Sequence, residues 1–405
     1  MSRRRQPGRA IVIGAGLAGL RAALSLRDAK VSTTVFEASP HLGGRCRSYD
    51  DPELGLIDNG THALTAANPV ALALIERLKL APRWAPSAGG ALQLVDVPEQ
   101  RVFKLRPKLR DFIALGLRPQ HALPFFGRDR PVAALFEEDA AIYRRLIEPL
   151  TVAALNTDAR EASSRLLARI LIEGWRGPKA LMPLIAERGL GPDLVEPLAD
   201  QIRAIGGEIR TTTRVRALTF EEGRVAAVEI GDESIRLSDA DQVILAVPPA
   251  EAERLTGFSF GLADSPIVNA HFAVDGAHPS APMFIGVIGA TAQWILWRKD
   301  VVAVTVSAAD DLVSEPQERI ADVLWSDVRA ALQLATGTAP SERRSYRVVK
   351  ERRATIRQTP GLVRPGAVTA WPNLFLAGDW TDTGLPATIE GSLCSGVAAA
   401  RAALR

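Results

Sequence analysis

Cysteine is scarce in this chain: Cys46 and Cys394 are the two thiols in 405 residues. They stand too far apart in sequence to suggest a disulfide framework, and such sparing use suits a reducing cytosol. A strong charge of either sign is missing as well. The net charge of +3 is too small to argue for nucleic acid, and the local excess at Arg3, Arg4 and Arg5 lacks the aromatic interleaving of a single-strand binder. No run of roughly 18 uninterrupted apolar residues occurs, so no membrane span is expected. Internal repeats and low-complexity linkers are absent, and no metal is expected. The three arginines precede an apolar run and so have the outline of an export signal. Glycines interrupt that run and no small-residue cleavage site follows it, so it is expected to belong to the fold, in a cytoplasmic protein.

What remains is an ordinary globular composition, 47% hydrophobic and 23% charged, long enough for two domains or one large domain with an insertion. Its most informative stretch lies near the start. Ala10 to Ile13 are apolar and read as a buried parallel strand; Leu20, Ala23, Leu24 and Leu26 then recur at helical spacing. The turn between them is Gly14-Ala15-Gly16-Leu17-Ala18-Gly19. Gly14 permits the tight turn, Gly16 lets a pyrophosphate approach the backbone, and Gly19 lets helix and strand pack closely, so an anion meets free N–H groups at the helix start. A second strand from Thr33 ends at Glu37, followed by Ala38, where a carboxylate takes adenosine ribose hydroxyls. These residues form an expected dinucleotide site.

Further elements fit the same cofactor. Gly43-Gly44-Arg45 stands where the chain passes back over the dinucleotide, and such a GGR element occurs near the flavin end in two-dinucleotide flavoproteins. Asp58-Asn59-Gly60-Thr61-His62 is a short strand opening into a polar turn, with Gly60 and Thr61 expected at the cofactor. Val215, which opens a meander turning at Glu222-Gly223, is expected there too. Near the end, a buried strand delivers Gly378-Asp379, and a helix beginning near Ala387 brings Thr388, Ile389 and Glu390. Its free N–H groups and positive dipole end suit the N1 and O2 edge of a reduced flavin, and Asp379 suits ribitol. Together the three glycine elements make FAD the expected cofactor.

The fold class expected is α/β, α+β overall: a discontinuous Rossmann-like FAD-binding domain (residues 9–68, 190–262 and 365–405) and a substrate domain with an antiparallel sheet and helices (69–189 and 263–364). Residues 131–189 look helical. Residues 104–127 mix Lys104, Arg106, Lys108 and Arg110 with apolar side chains, a pattern that fits either peripheral contact with the inner face of a membrane or an amphipathic helix packed on its own domain.

The glycine elements together resemble the FAD-dependent amine oxidase and phytoene desaturase superfamily. Asp58 to His62, the segment from Pro149 to Thr157 followed by Ala162-Ser163, Lys350 to Thr355, Thr359-Pro360-Gly361, and Gly378 to Gly391 look like the hydroxysqualene dehydroxylases within it. Thr61 stands where that pattern has glutamine, and Trp380 where tyrosine is common. The resemblance implies reductive loss of the allylic hydroxyl of hydroxysqualene, a long isoprenoid, with hydride from reduced flavin N5 giving squalene in hopanoid synthesis. The electron donor is not implied. Two residues are candidates for catalysis: His62, either the acid, brought near the substrate by a neighbouring flavin turn, or a hydrogen-bonded structural histidine, and Asn156, either orienting the hydroxyl or capping an internal helix. An oxidative desaturase or amine oxidase, and a flavin- or lipid-binding protein without turnover, remain as alternatives.

Overall fold

The computed structural model describes residues 8–106, 110, 113, 116, 127–174, 182–275 and 278–405. Strand β1 (Arg9–Ile13) carries apolar side chains on both faces, as a strand covered on both sides must, and runs through the glycine turn into helix α1 (Leu17–Asp28). Strand β2 (Ser32–Phe36) returns parallel to β1. Three distant segments complete this five-stranded parallel sheet: Glu208–Arg210 beside β2, Gln242–Leu245 on the other flank of β1, and Leu374–Leu376 beyond it.

One face of the sheet packs on α1, on helix Glu196–Ala204 and on the C-terminal helix Ile389–Ala403. The crossing of that last helix with α1 is tight, because a Cβ on Gly396 would lie 2.3 Å from the Ala18 carbonyl oxygen. The other face packs on the meander Val215–Glu221, Arg224–Ile230 and Glu233–Arg236, whose first turn uses left-handed Glu222 and Gly223. The α/β expectation therefore holds.

The second large sheet has seven strands, in the order Arg343–Ile356, Asp264–Val274, Val301–Ser307, Trp294–Arg298, Met283–Ile288, Leu92–Asp96 and Arg101–Leu105. It is mixed rather than antiparallel as expected. The hairpin Leu92–Asp96/Arg101–Leu105 joins as a unit and sets its first strand parallel to Met283–Ile288. Parallel pairing needs a long connection, and here almost the whole middle of the chain supplies it. Helix Gln317–Thr336 covers one face of this sheet. Against its other side lies a second apolar cluster that includes Leu94, Ile142 and Leu155.

Residues 131–189 are only partly helical. Helices Glu148–Leu155 and Ser164–Gly174 form there, but Leu184–Ala186 is a strand paired with Trp84–Pro86. Helix α2 (Pro69–Arg77) begins at its proline, where a missing N–H costs nothing. Most of residues 104–127, the expected membrane-contact segment, lie outside the described residues. Among the described residues no helix is long and apolar enough to cross a membrane.

A buried carboxylate ties these parts together. Asp58, at the end of strand Gly55–Asp58, accepts hydrogen bonds from the Ser48 hydroxyl, the Leu190 N–H and the Arg298 guanidinium. It thereby fixes the turn at residues 59–62 between the helix-bearing layer and the seven-stranded sheet.

Candidate active site

The two sheets enclose one cavity of about 1850 Å³. At one end it is lined by the glycine turns. Gly14, at φ +102°, sits against the Ala246 carbonyl, and a Cβ on Gly19 would lie 1.9 Å from the Gly14 carbonyl oxygen, so both are required by close packing. Gly16 differs: nothing lies within 4 Å of where its Cβ would stand, and its backbone (φ −69°, ψ 174°) suits any residue. It faces the cavity. Leu17 and Ala18 line that space as well, at a helix start that no side chain caps. Ala15 and Gly19 are not in the lining; the Ala15 N–H instead donates to Glu37 Oε2 at 2.7 Å. Glu37 is also held by the Ser39 N–H on Oε1, at 2.8 Å, and lines the cavity with Ala38.

The second glycine pair docks on the first, the Gly43 N–H donating to the Ala15 carbonyl at 2.8 Å. Arg45 follows it and makes a two-pronged pair with Asp379, at 3.0 and 2.6 Å, besides donating to the Ala354 carbonyl. Burial opposes the charge on Arg45, but Asp379 more than offsets this and holds the guanidinium above its ordinary pKa. Both motifs line the cavity. Gly378, at φ +152°, is anchored by its N–H to Ser395 Oγ at 2.9 Å. Trp380 is buried, and its indole N–H reaches the Val247 carbonyl at 2.9 Å. Thr388 caps the C-terminal helix by accepting the Gly391 N–H.

Gly60, Thr61, Val215, Thr388 and Ile389 all line the cavity, and so does Glu390. The Glu390 carboxylate, however, accepts the N–H groups of Val70 and Ala71 at 2.8 and 3.0 Å, which caps helix α2. Sequence pattern gave no sign of that partner, 320 residues away.

The other end of the cavity is apolar, lined by Leu92, Leu105, Phe136, Leu146, Leu150 and the stacked pair Phe284–Trp294. His62 lines the same cavity, its Nδ1 2.9 Å from the Gly60 carbonyl. A carbonyl only accepts, so Nδ1 carries a hydrogen. Burial lowers the His62 pKa against the opposing pull of that hydrogen bond and of Asp58, and Arg45 lowers it further.

Asn156 also lines the cavity, and its side chain is tied into the wall. It ends helix Glu148–Leu155 in the left-handed conformation that asparagine tolerates. Its Nδ2 donates to the Ser265 carbonyl and to Thr355 Oγ1, both at 3.0 Å, and its Oδ1 accepts the Ala308 N–H at 2.7 Å. With both amide hydrogens and the carbonyl engaged, it is a clasp between the helix and the sheet.

The family of flavin-containing amine oxidoreductases matches residues 17–404. The hydroxysqualene dehydroxylase of Rhodopseudomonas palustris is 37% identical over 414 residues, covering 96% of each chain. That of Zymomonas mobilis is 34% identical over 420 residues, covering 97% of this chain and 98% of the relative. The chain belongs to the flavin-containing amine oxidoreductases, among the hydroxysqualene dehydroxylases. Its fold is also that of cyclohexylamine oxidase from Brevibacterium oxydans, with a TM-score of 0.70 at 16% identity, covering 98% of this chain and 99% of that one.

The cofactor of this flavin-containing oxidoreductase is FAD, and the cavity fits it. Gly16 leaves the cradle that a pyrophosphate needs. In the cavity wall Asn59 Oδ1 and Thr61 Oγ1 are buried with no partner among the described residues, a state that costs about 1–3 kcal/mol per group unless a ligand relieves it.

Gly16 and Gly19 separate cofactor binding from folding. Gly16→Val is expected to give stable protein with little bound FAD, whereas Gly19→Val, forced against the Gly14 carbonyl, loses about 1–3 kcal/mol or more of stability. Flavin absorbance and thermal melting check this, and normal yellow Gly16→Val protein would contradict it.

Proposed function

We propose that the chain removes the hydroxyl of hydroxysqualene reductively, giving squalene and water. The observation that carries this reading is the continuity of one cavity from the glycine turns to the apolar chamber. A drug-sized ligand takes roughly 300–1,000 Å³, so about 1850 Å³ has room for a dinucleotide and a long hydrocarbon together. Reduced FAD, when bound, supplies the hydride that replaces the hydroxyl. The chain supplies the rest. Its apolar walls keep water from the allylic cation left when the hydroxyl departs. His62 provides the proton: with Nδ1 fixed on the Gly60 carbonyl, Nε2 is the nitrogen left to donate to the leaving oxygen.

The lowered pKa of His62 makes its protonated form scarce at neutral pH and, when present, a stronger acid than usual. The same reading assigns residues 9–68, 190–262 and 365–405 to the cofactor domain and 69–189 and 263–364 to the substrate domain. It also extends to a membrane contact through residues 104–127, since the substrate partitions into lipid.

Three measurements test it. Anaerobically reduced enzyme mixed with hydroxysqualene should regain the oxidised flavin spectrum as squalene appears. An enzyme that instead bleaches its oxidised flavin with a saturated substrate is an oxidative desaturase or amine oxidase. With His62 as donor, kcat/KM should climb by about tenfold per pH unit as pH falls toward the lowered pKa, and His62→Gln should flatten that profile; a flat profile in the parent enzyme removes His62 from this role. Charge reversal at Lys104, Arg106, Lys108 and Arg110 should cut binding to anionic liposomes by about a thousandfold or more, because each basic residue near the surface contributes about 1 kcal/mol; unchanged binding ends the membrane assignment.

A further inference from the structure

Gln358 lies just beyond strand Arg343–Ile356 and is completely buried. Its carboxamide bridges two segments that are remote in sequence. Nε2 donates to the Leu155 carbonyl at 2.8 Å, and Oε1 accepts the Ala387 N–H at 2.8 Å. The orientation of the amide is forced, because a carbonyl cannot donate and an N–H cannot accept. The backbone of Gln358 is held too: its N–H donates to Thr157 Oγ1 at 3.0 Å, and its carbonyl accepts the Ser163 N–H at 2.8 Å.

Both partners belong to walls of the cavity. Leu155 ends the helix Glu148–Leu155, which contributes Leu150, Ala153 and Ala154 to the apolar chamber, and its carbonyl, without a partner inside the helix terminus, accepts both from Gln358 Nε2 and from the Thr157 hydroxyl at 2.9 Å. Ala387 lies in the loop leading to the Thr388 cap of the C-terminal helix, on the cofactor side of the same cavity.

We propose that Gln358 is a positioning residue that fixes the spacing between the chamber wall and the cofactor-side loop, and so the distance at which the isoprenoid is held from the flavin. This rests on the function proposed above. It acts through Leu155 and Ala387 and needs no contact with the substrate.

The test uses the FAD-loaded enzyme and two near-isosteric variants. Gln358→Met keeps the shape and makes neither hydrogen bond. It should retain FAD with shifted visible flavin bands, and kcat should fall by about 10- to 100-fold with KM changed by less than about threefold, since misplacement by about 1 Å costs that much in rate. Gln358→Glu accepts the Ala387 N–H in either state but donates to the Leu155 carbonyl only when protonated. Its flavin spectrum, and its kcat relative to the parent at each pH, should return toward the parental values as pH falls. Folded Gln358→Met with a parental spectrum and kcat overturns the proposal, as does a Gln358→Glu spectrum that does not change with pH. Should Gln358→Met fail to fold, the Gln358→Glu arm decides alone. If the parent enzyme does not consume hydroxysqualene, the functional reading falls, and the Gln358→Glu spectrum still decides for or against the strut.

Discussion

The pair between Arg45 and Asp379 is the constraint on which the rest of the site depends, because it joins residues 334 positions apart across a single cavity. Charge-assisted, two-pronged hydrogen bonds are among the stronger and more directional contacts available to side chains. Here one prong-bearing residue follows the second glycine turn and the other follows the last strand of the parallel sheet. The glycine turns at the two ends of the chain therefore cannot drift apart without stranding a largely buried carboxylate. Everything that makes the cavity a place for a dinucleotide follows from their closeness: the open cradle at Gly16, the Glu37 carboxylate, and the capped helix at Thr388.

Around that charged clasp, and apart from the Asp58 carboxylate that fixes the turn at residues 59–62, two neutral amides position the helix Glu148–Leu155. Asn156 and Gln358 each engage both ends of a carboxamide on backbone groups, and each joins the helix Glu148–Leu155 to another part of the wall. A water-poor chamber favours this choice. An amide bonded at both ends carries no net charge to desolvate, whereas a buried ion without a partner would be costly beside a hydrocarbon. The one ionisable side chain singled out in the chamber, His62, is pushed toward its neutral form for the same reason.

How much of this was legible in the sequence depended on the range of the interaction. The glycine turns were readable because backbone sterics act within a few residues: Gly14 and Gly19 answer to each other and to the adjoining strand, so spacing alone reveals them. Glu37 was readable as the terminus of a strand. Glu390 and Asn156 were recognisable as notable residues, but their partners, Val70 and Ser265, lie in unrelated stretches, so their roles as a helix cap and a clasp left no local pattern. Gln358 gave no signal of its own beside the more conspicuous Thr359-Pro360-Gly361. The parallel pairing of Met283–Ile288 with Leu92–Asp96 was hidden likewise, because alternation along a strand reveals which face is buried and not which neighbour it will take.

The order of the parallel sheet bears on how the molecule is made. One of the two neighbours of strand β1, Gln242–Leu245, is synthesised more than two hundred residues after it, and Leu374–Leu376 later still. Until then an apolar strand and the greasy side of α1 have no lasting cover. Pairings of such long sequence separation are slow to form and leave intermediates open to aggregation. In a nascent chain of this topology the parallel sheet, and with it the cofactor end of the cavity, cannot close before Leu374–Leu376 has been made.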